Sequence, residues 1–169
     1  MPIRKIVLET NNIYHVYNRW FEKQFLFKND NDYQRFLNTM KKYNNIYTWI
    51  KIYSYCLLPN HFHMILSSSK SGLEISDFMR KLQQWYAMYF KTKLSPDLKT
   101  RGQFFEWRFK AKFIKDEEYL AKCLAYVNFN PIKHEIVDNI DDYKWTSYHQ
   151  IDKKKIEKYK DLILDELEF

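Results

Sequence analysis

Leu58-Pro59-Asn60-His61-Phe62-His63-Met64-Ile65 is the stretch on which the reading of the fold turns. Side chains alternate across an extended strand, so His61 and His63 face one way while Phe62 and Met64 face the other. Pro59 and Asn60 are turn formers and feed the chain into that strand. The strand has one apolar face to bury and one imidazole face to use. Two imidazoles at this spacing can hold a divalent cation, or they are two partly exposed histidines of an ordinary strand.

Upstream, Thr48 to Leu58 is rich in β-branched and aromatic residues. Only Pro59-Asn60 separates it from the run His61 to Ser67, so the two are expected to pair antiparallel. Ile13 to Trp20 reads as an earlier strand. Ile13, His15, Tyr17 and Arg19 share one of its faces, and Tyr14, Val16 and Asn18 share the other. Between these strands, Asp30 or Asn31 is placed to cap a helix running to about Asn44. Its Tyr33, Phe36, Leu37, Met40 and Tyr43 recur at helical spacing.

Downstream, Ser67 to Gly72 reads as a loop and Ile75 to Lys93 as a long helix. Ile75, Phe78, Met79, Leu82, Trp85, Tyr86, Tyr89 and Phe90 form its apolar stripe, which assigns Tyr86 and Tyr89 to the core. A loop from Leu94 to Gln103 leads into an extended segment, Phe104 to Ile114. Asp116 caps a third helix, which Pro131 is expected to stop. Leu120, Leu124 and Val127 make its buried side. Tyr119, Cys123, Tyr126 and Asn130 line the next stripe, which places Tyr126 and Asn130 one turn apart on one side. Tyr143 to Tyr148 is expected to pack on the domain. Lys153 to Leu167 reads as a final helix whose charge order opposes its dipole. His134 and His149 read as surface or loop residues.

This order of elements indicates an α+β fold built on an antiparallel sheet. Residues 1–150 form one domain, and 151–169 a C-terminal helical extension. If the first two helices cover Phe62 and Met64, the third lies over His61 and His63 and carries Tyr126 and Asn130 to them. An amide oxygen from Asn130 beside two imidazoles makes a mixed nitrogen and oxygen site suited to Mg²⁺ or Mn²⁺.

The 169 residues include 28 basic and 21 acidic side chains, a net charge of +7. That surplus favours a polyanionic partner, nucleic acid first and a membrane surface second. Residues 91–115 hold eight of the basic groups, Arg101, Arg108, Lys110 and Lys112 among them, against two acidic ones. Phe104, Phe105, Trp107, Phe109 and Phe113 are interleaved with them, the pattern of a surface that grips phosphates and stacks bases. An ordinary amphipathic hairpin is the other reading. Glycine occurs only at Gly72 and Gly102, so there is no glycine-rich phosphate loop. Cys56 and Cys123 form no metal-binding pair and suit a reducing compartment. With neither a signal-peptide run nor a membrane-spanning stretch, a cytoplasmic protein is expected.

Three motifs then carry a resemblance: Leu58-Pro59-Asn60-His61-Phe62-His63, Tyr126-Val127-Asn128-Phe129-Asn130-Pro131 and Trp145-Thr146-Ser147-Tyr148. Together with Tyr14-His15-Val16-Tyr17-Asn18-Arg19 and Gln103 to Lys112, they resemble the REP-associated tyrosine transposases, single-tyrosine enzymes with a His-hydrophobic-His motif. Glu106 stands where that family commonly has Gln, and Thr146 where it commonly has a second Ser. The resemblance implies a ferredoxin-like sheet close to the RNA-recognition-motif architecture, with helices on both faces. It implies His61, His63 and Asn130 as metal ligands and Tyr126 as the nucleophile, forming a covalent 5′-phosphotyrosine on hairpin-bearing single-stranded DNA. Arg19, Arg101, Arg108, Lys110 and Lys112 are the expected DNA contacts, with His15 as a further DNA contact, a support behind the metal pair or a plain sheet histidine. Relatives occur as monomers and as homodimers that swap tyrosine helices. Two other readings stand beside this one. One is a non-catalytic single-stranded nucleic-acid-binding module on the same fold, and the other a metal-dependent nuclease that uses water.

Overall fold

Strands and helices follow one another in the computed structural model much as the periodicities require; it describes residues 6–93, 104–106 and 108–165. The elements are β1 (Ile13–Arg19), α1 (Asp30–Ile46), β2 (Ile50–Leu58), β3 (His61–Ser68), α2 (Gly72–Lys93), β4 (Lys110–Ile114), α3 (Glu117–Lys133), α4 (Lys153–Glu157) and α5 (Lys160–Asp165). The four strands form one sheet in the order β2-β3-β1-β4, every neighbouring pair antiparallel. Helices cover both faces, which is the ferredoxin-like α+β arrangement the resemblance implied.

One face of the sheet is dry. Tyr14, Val16, Phe62, Met64 and Leu66 pack there against Phe36 and Met40 of α1 and Ile75, Phe78, Leu82, Tyr86 and Phe90 of α2. Tyr86 spends its hydroxyl on the Leu26 carbonyl at 2.9 Å, so it is a core residue as expected. The other face belongs to α3, with Cys56, Leu58, Ile65 and Ile114 packed under Cys123, Tyr126, Val127 and Phe129. A bulge between Ile52 and Ser54 decides which β2 side chains look that way. An extra residue reverses the alternation. Ile50 and Ile52 therefore face α1, while Ser54, Cys56 and Leu58 face α3.

Several boundaries differ from the sequence reading. The α1 cap is Asn29, whose side chain accepts from the Asp32 amide. Helix α2 starts three residues early at Gly72, where a Cβ would stand 1.9 Å from the Leu8 carbonyl oxygen. Of the segment 104–114 only Lys110–Ile114 is strand, preceded by a lone bridge from Phe105 to Trp20. Pro131 does not stop α3. It lies inside the helix and is buried. An interior proline gives up its N–H bond and crowds the carbonyl one turn earlier, a cost that burial of its ring in the last turn of the helix helps to offset. The stop falls at Glu135, whose φ of 54° is left-handed. There the Ile136 amide bonds the Pro131 carbonyl and the Glu135 amide bonds the Ile132 carbonyl, a Schellman turn. The final helix is two short ones, whose Ile156 and Ile163 join the core under α3. Among the described residues no helix is long and apolar enough to cross a membrane.

Candidate active site

Strand register builds the floor of the site. Arg19 lies opposite His61, and Tyr17 opposite His63. On the other flank of β1, Tyr17 pairs with Lys110 and His15 with Lys112. Directly opposed residues in an antiparallel sheet point to the same side. His15, Tyr17, Arg19, His61, His63, Lys110 and Lys112 therefore share the face that α3 covers.

The helix is held over that floor by a polar clasp. Asn128 is fully buried. Its Nδ2 donates to Ser54 Oγ and to the Leu124 carbonyl, each at 2.8 Å. Its Oδ1 accepts from Thr146 Oγ1 at 2.8 Å and Ser147 Oγ at 3.1 Å. The 145–147 segment is in turn laced to β2: the Leu57 amide donates to the Trp145 carbonyl, and the Ser147 amide to the Tyr55 carbonyl. Trp145 stacks on Tyr33 with rings 4.7 Å apart. The hydroxyl that Thr146 shares with serine is what this clasp uses.

So fastened, α3 sets the Tyr126 ring edge-on to His63 at 5.5 Å and to His15 at 5.9 Å. His61 and His63 stand 5.0 Å apart with rings nearly perpendicular. Both are buried, at 8% and 5% exposure. His61 Nδ1 lies 2.5 Å from Asn60 Oδ1. An amide oxygen only accepts, so this bond puts the proton on Nδ1 and leaves a lone pair on His61 Nε2. His63 Nδ1 bonds His15 Nε2 at 2.9 Å. Asn130 Nδ2 donates back to the Tyr126 carbonyl at 2.9 Å. His63 Nε2 and Asn130 Oδ1 are buried with no hydrogen-bond partner.

Burial pushes the histidines toward the neutral form. His61 is held down to about 3 by desolvation, helped by the charges of His134 and Arg19. His63 lies well below its ordinary value for the same first reason, with His15, His61, His134 and Arg19 adding to it. Neutral imidazoles are the ligating form. Burial raises the Tyr126 phenol above its ordinary value, while the Asn130 side chain and the Arg19 charge act in the other direction.

A cationic rim surrounds these groups. Lys133 Nζ stands 5.6 Å from the Tyr126 ring and Lys110 Nζ 5.8 Å from the Tyr17 ring. The charge of Lys112 helps to lower the pKa of His15, after desolvation.

The expected DNA contacts divide. Arg19, Lys110 and Lys112 lie on the site face. His15 does not fit the role of a surface contact, being 1% exposed under α3. Arg108 is exposed, but it lines a groove with Arg80, Gln83 and Phe104 on the α2 side. It precedes β4, so the strand alternation that orients Lys110 and Lys112 does not reach it. Arg101 and Trp107 lie outside the described residues. Phe105 and Phe109 are core residues rather than stacking platforms, and among the described interleaved aromatics only Phe113 is exposed. Among the described residues no three His, Cys, Asp or Glu side chains converge as a metal centre; the donors on hand are two imidazoles and an amide oxygen.

Three participants escaped the sequence reading. Tyr17 packs against both His15 and His63. Lys133 lies over Tyr126. His134, exposed at the end of α3, stands edge-on to His61 at 5.3 Å. The i, i+4, i+8 spacing of Tyr126, Asn130 and His134 was the available signal.

Comparison with known proteins places this geometry in context. The family model described as "Transposase IS200 like" matches residues 9–130. A Haemophilus influenzae protein named as a REP-associated tyrosine transposase is 26% identical over 106 residues, 60% of each chain. This chain thus matches three fifths of the length of that curated relative. A solved structure of a REP-associated tyrosine transposase bound to a REP hairpin superposes with a TM-score of 0.72. The sequences are 16% identical, and the match covers 89% of this chain and 84% of that one.

Proposed function

This chain belongs to the IS200-like transposase family, and on that premise we propose that it cleaves and rejoins hairpin-bearing single-stranded DNA through a covalent bond to Tyr126. The observation that carries the reading is the juxtaposition of the Tyr126 ring with two buried polar atoms that have no hydrogen-bond partner, His63 Nε2 and Asn130 Oδ1. Polar atoms buried without a partner are costly in a structure and ask for a function. Here they lie on residues that, with His61 Nε2, form a donor set a divalent cation fits.

In the proposed reaction the phenolic oxygen of Tyr126 attacks the scissile phosphorus. A bond forms between that oxygen and phosphorus, and the bond from phosphorus to the 3′ oxygen breaks. The phenol gives up its proton and the departing oxygen gains one, leaving a free 3′-hydroxyl and a 5′-phosphotyrosine. The phosphodiester energy is conserved, so a second 3′-hydroxyl can reverse the step and be joined. Arg19, Lys110, Lys112 and Lys133 draw the phosphates in and offset their charge. Arg19 also favours the phenolate that must form. His61, His63 and Asn130 would hold Mg²⁺ or Mn²⁺, which when bound supplies charge neutralisation at the phosphate. Palindromic single strands of the kind named for the structural relative are the proposed substrates.

The test is incubation with a labelled hairpin-bearing single strand and Mg²⁺ or Mn²⁺, followed by a denaturing gel. Label migrating with the protein, and lost in EDTA, is the expected result. Cleavage without an adduct would identify a water-using nuclease. Retention without cleavage in a native gel would identify a binding module.

A further inference from the structure

His15 is buried under α3, and it touches both halves of the proposed site. Its ring lies nearly parallel to His63, 21° apart at 5.1 Å, with Nε2 bonded to His63 Nδ1. Tyr17 packs against both rings, 5.1 Å from His15 and 5.6 Å from His63, and the Tyr126 ring meets His15 edge-on. The ring is 1% exposed and cannot turn without displacing one of these neighbours.

We propose that His15 is a positioning residue that accepts the Nδ1 proton of His63 and so fixes the lone pair on His63 Nε2. The bond runs one way or the other. If His15 donated, His63 Nε2 would carry a hydrogen and could not take a cation, whereas if it accepts, its own hydrogen sits on the equally buried His15 Nδ1 and His63 Nε2 stays open. The neighbouring histidine supplies the precedent inside this chain. Asn60 Oδ1 can only accept, so His61 is already held with its proton on Nδ1 and its lone pair on Nε2. Two histidines two residues apart are thus set to the same tautomer by unlike acceptors. One comes from the turn before β3 and the other from the middle of β1. Groups that bond the far nitrogen of a ligating histidine fix its tautomer and orientation.

This inference rests on His63 being a ligand, so its test separates the two questions. Long-range proton–nitrogen NMR of the metal-free protein, with the imidazoles neutral, reads the His63 tautomer directly. Wild type is expected to show Nδ1–H. His15→Phe, which keeps a ring against Tyr126 but removes the acceptor, is expected to move His63 toward Nε2–H. It should also weaken Mn²⁺ binding, measured by calorimetry, by roughly 10- to 100-fold. His15→Gln retains an acceptor and should restore both readings to near wild type. An Nε2–H signal for His63 in the wild-type protein overturns the proposal with no variant needed. So does a His15→Phe protein with an unchanged tautomer and unchanged Mn²⁺ affinity. Wild-type protein that holds no Mn²⁺ would instead retire His63 as a ligand, while the tautomer measurement still judges His15.

Discussion

Two asparagines on α3, separated by a single residue, are both fully buried and are used in opposite ways. Asn128 spends everything it has, with two donors engaged and two hydroxyls donating to its oxygen. Asn130 uses one donor on the Tyr126 carbonyl and keeps its oxygen in reserve. Two positions span about 200° around a helix, so the pair look toward different neighbours. Asn128 faces β2 and the 145–147 segment, where hydroxyls wait for it. Asn130 lies one turn beyond Tyr126 on the stripe that ends at His134, which stands edge-on to His61. A fully satisfied polar cluster specifies how parts fit together. A cluster with unspent acceptors has been left open for something else.

The sharpest break in that comparison is Tyr126→Phe. It should abolish adduct formation, by roughly a thousandfold or more, because no other oxygen replaces the nucleophile. The thermal midpoint should barely move, and an adduct persisting on the denaturing gel would show that the wrong tyrosine was chosen. Asn128→Ala should do the reverse. It removes four hydrogen bonds from a buried cluster whose hydroxyls keep their bonds to one another and to the Tyr55 backbone, and should cost about 2–3 kcal/mol of stability, seen in urea unfolding. Any loss of activity should then track the fraction folded.

Asn130→Ala removes one hydrogen bond within its own helix, so its stability cost should stay below about 1 kcal/mol. Its Mn²⁺ affinity by calorimetry should nonetheless fall about tenfold, comparable to losing part of a ligand shell. A large stability loss with unchanged affinity would erase the distinction between the two asparagines.

Acid should find the open cluster first. His15 and His61 are each held down to about 3 by burial, from an ordinary 6.5. The unfolded chain therefore takes up protons before the folded one as pH falls. The histidine contribution to stability is complete above 6.5 and drains away as the pH descends toward 3. Urea midpoints measured across that window should fall more steeply in wild type than in His61→Phe. Asn128→Ala should keep the wild-type slope. The smallest effect is expected at the rim: Lys133→Ala should weaken single-strand binding modestly and reduce the logarithmic salt slope by about 0.7.

The sequence carried the sheet, its two-faced strands and the approach of Tyr126 and Asn130 to the histidines, because each follows from a local period. Periods of two and of 3.6 residues are written in neighbouring letters. Cross-strand register is not. Nothing within residues 91–115 announces that Lys110 and Lys112 stand beside Tyr17 and His15 while Arg108 turns toward α2. The same limit hid the work of Asn128, whose partners at Ser54, Thr146 and Ser147 are far away along the chain. Pro131 misled for a different reason. Its helix-breaking tendency is local, and the packing that overrides it is tertiary. The interleaved aromatics misled likewise, since composition does not distinguish a phenylalanine awaiting a base from one filling a core.

The fastening of α3 by Thr146 and Ser147 also has a consequence in time. Synthesis delivers both histidines and the tyrosine helix well before it delivers the residues that lock them together. A nascent chain that has emerged only as far as residue 140 holds His61, His63, Tyr126 and Asn130 but lacks the latch. On the proposed function, a premature stop just before the latch would cost cleavage while leaving Tyr126, His61, His63 and Asn130 in the chain.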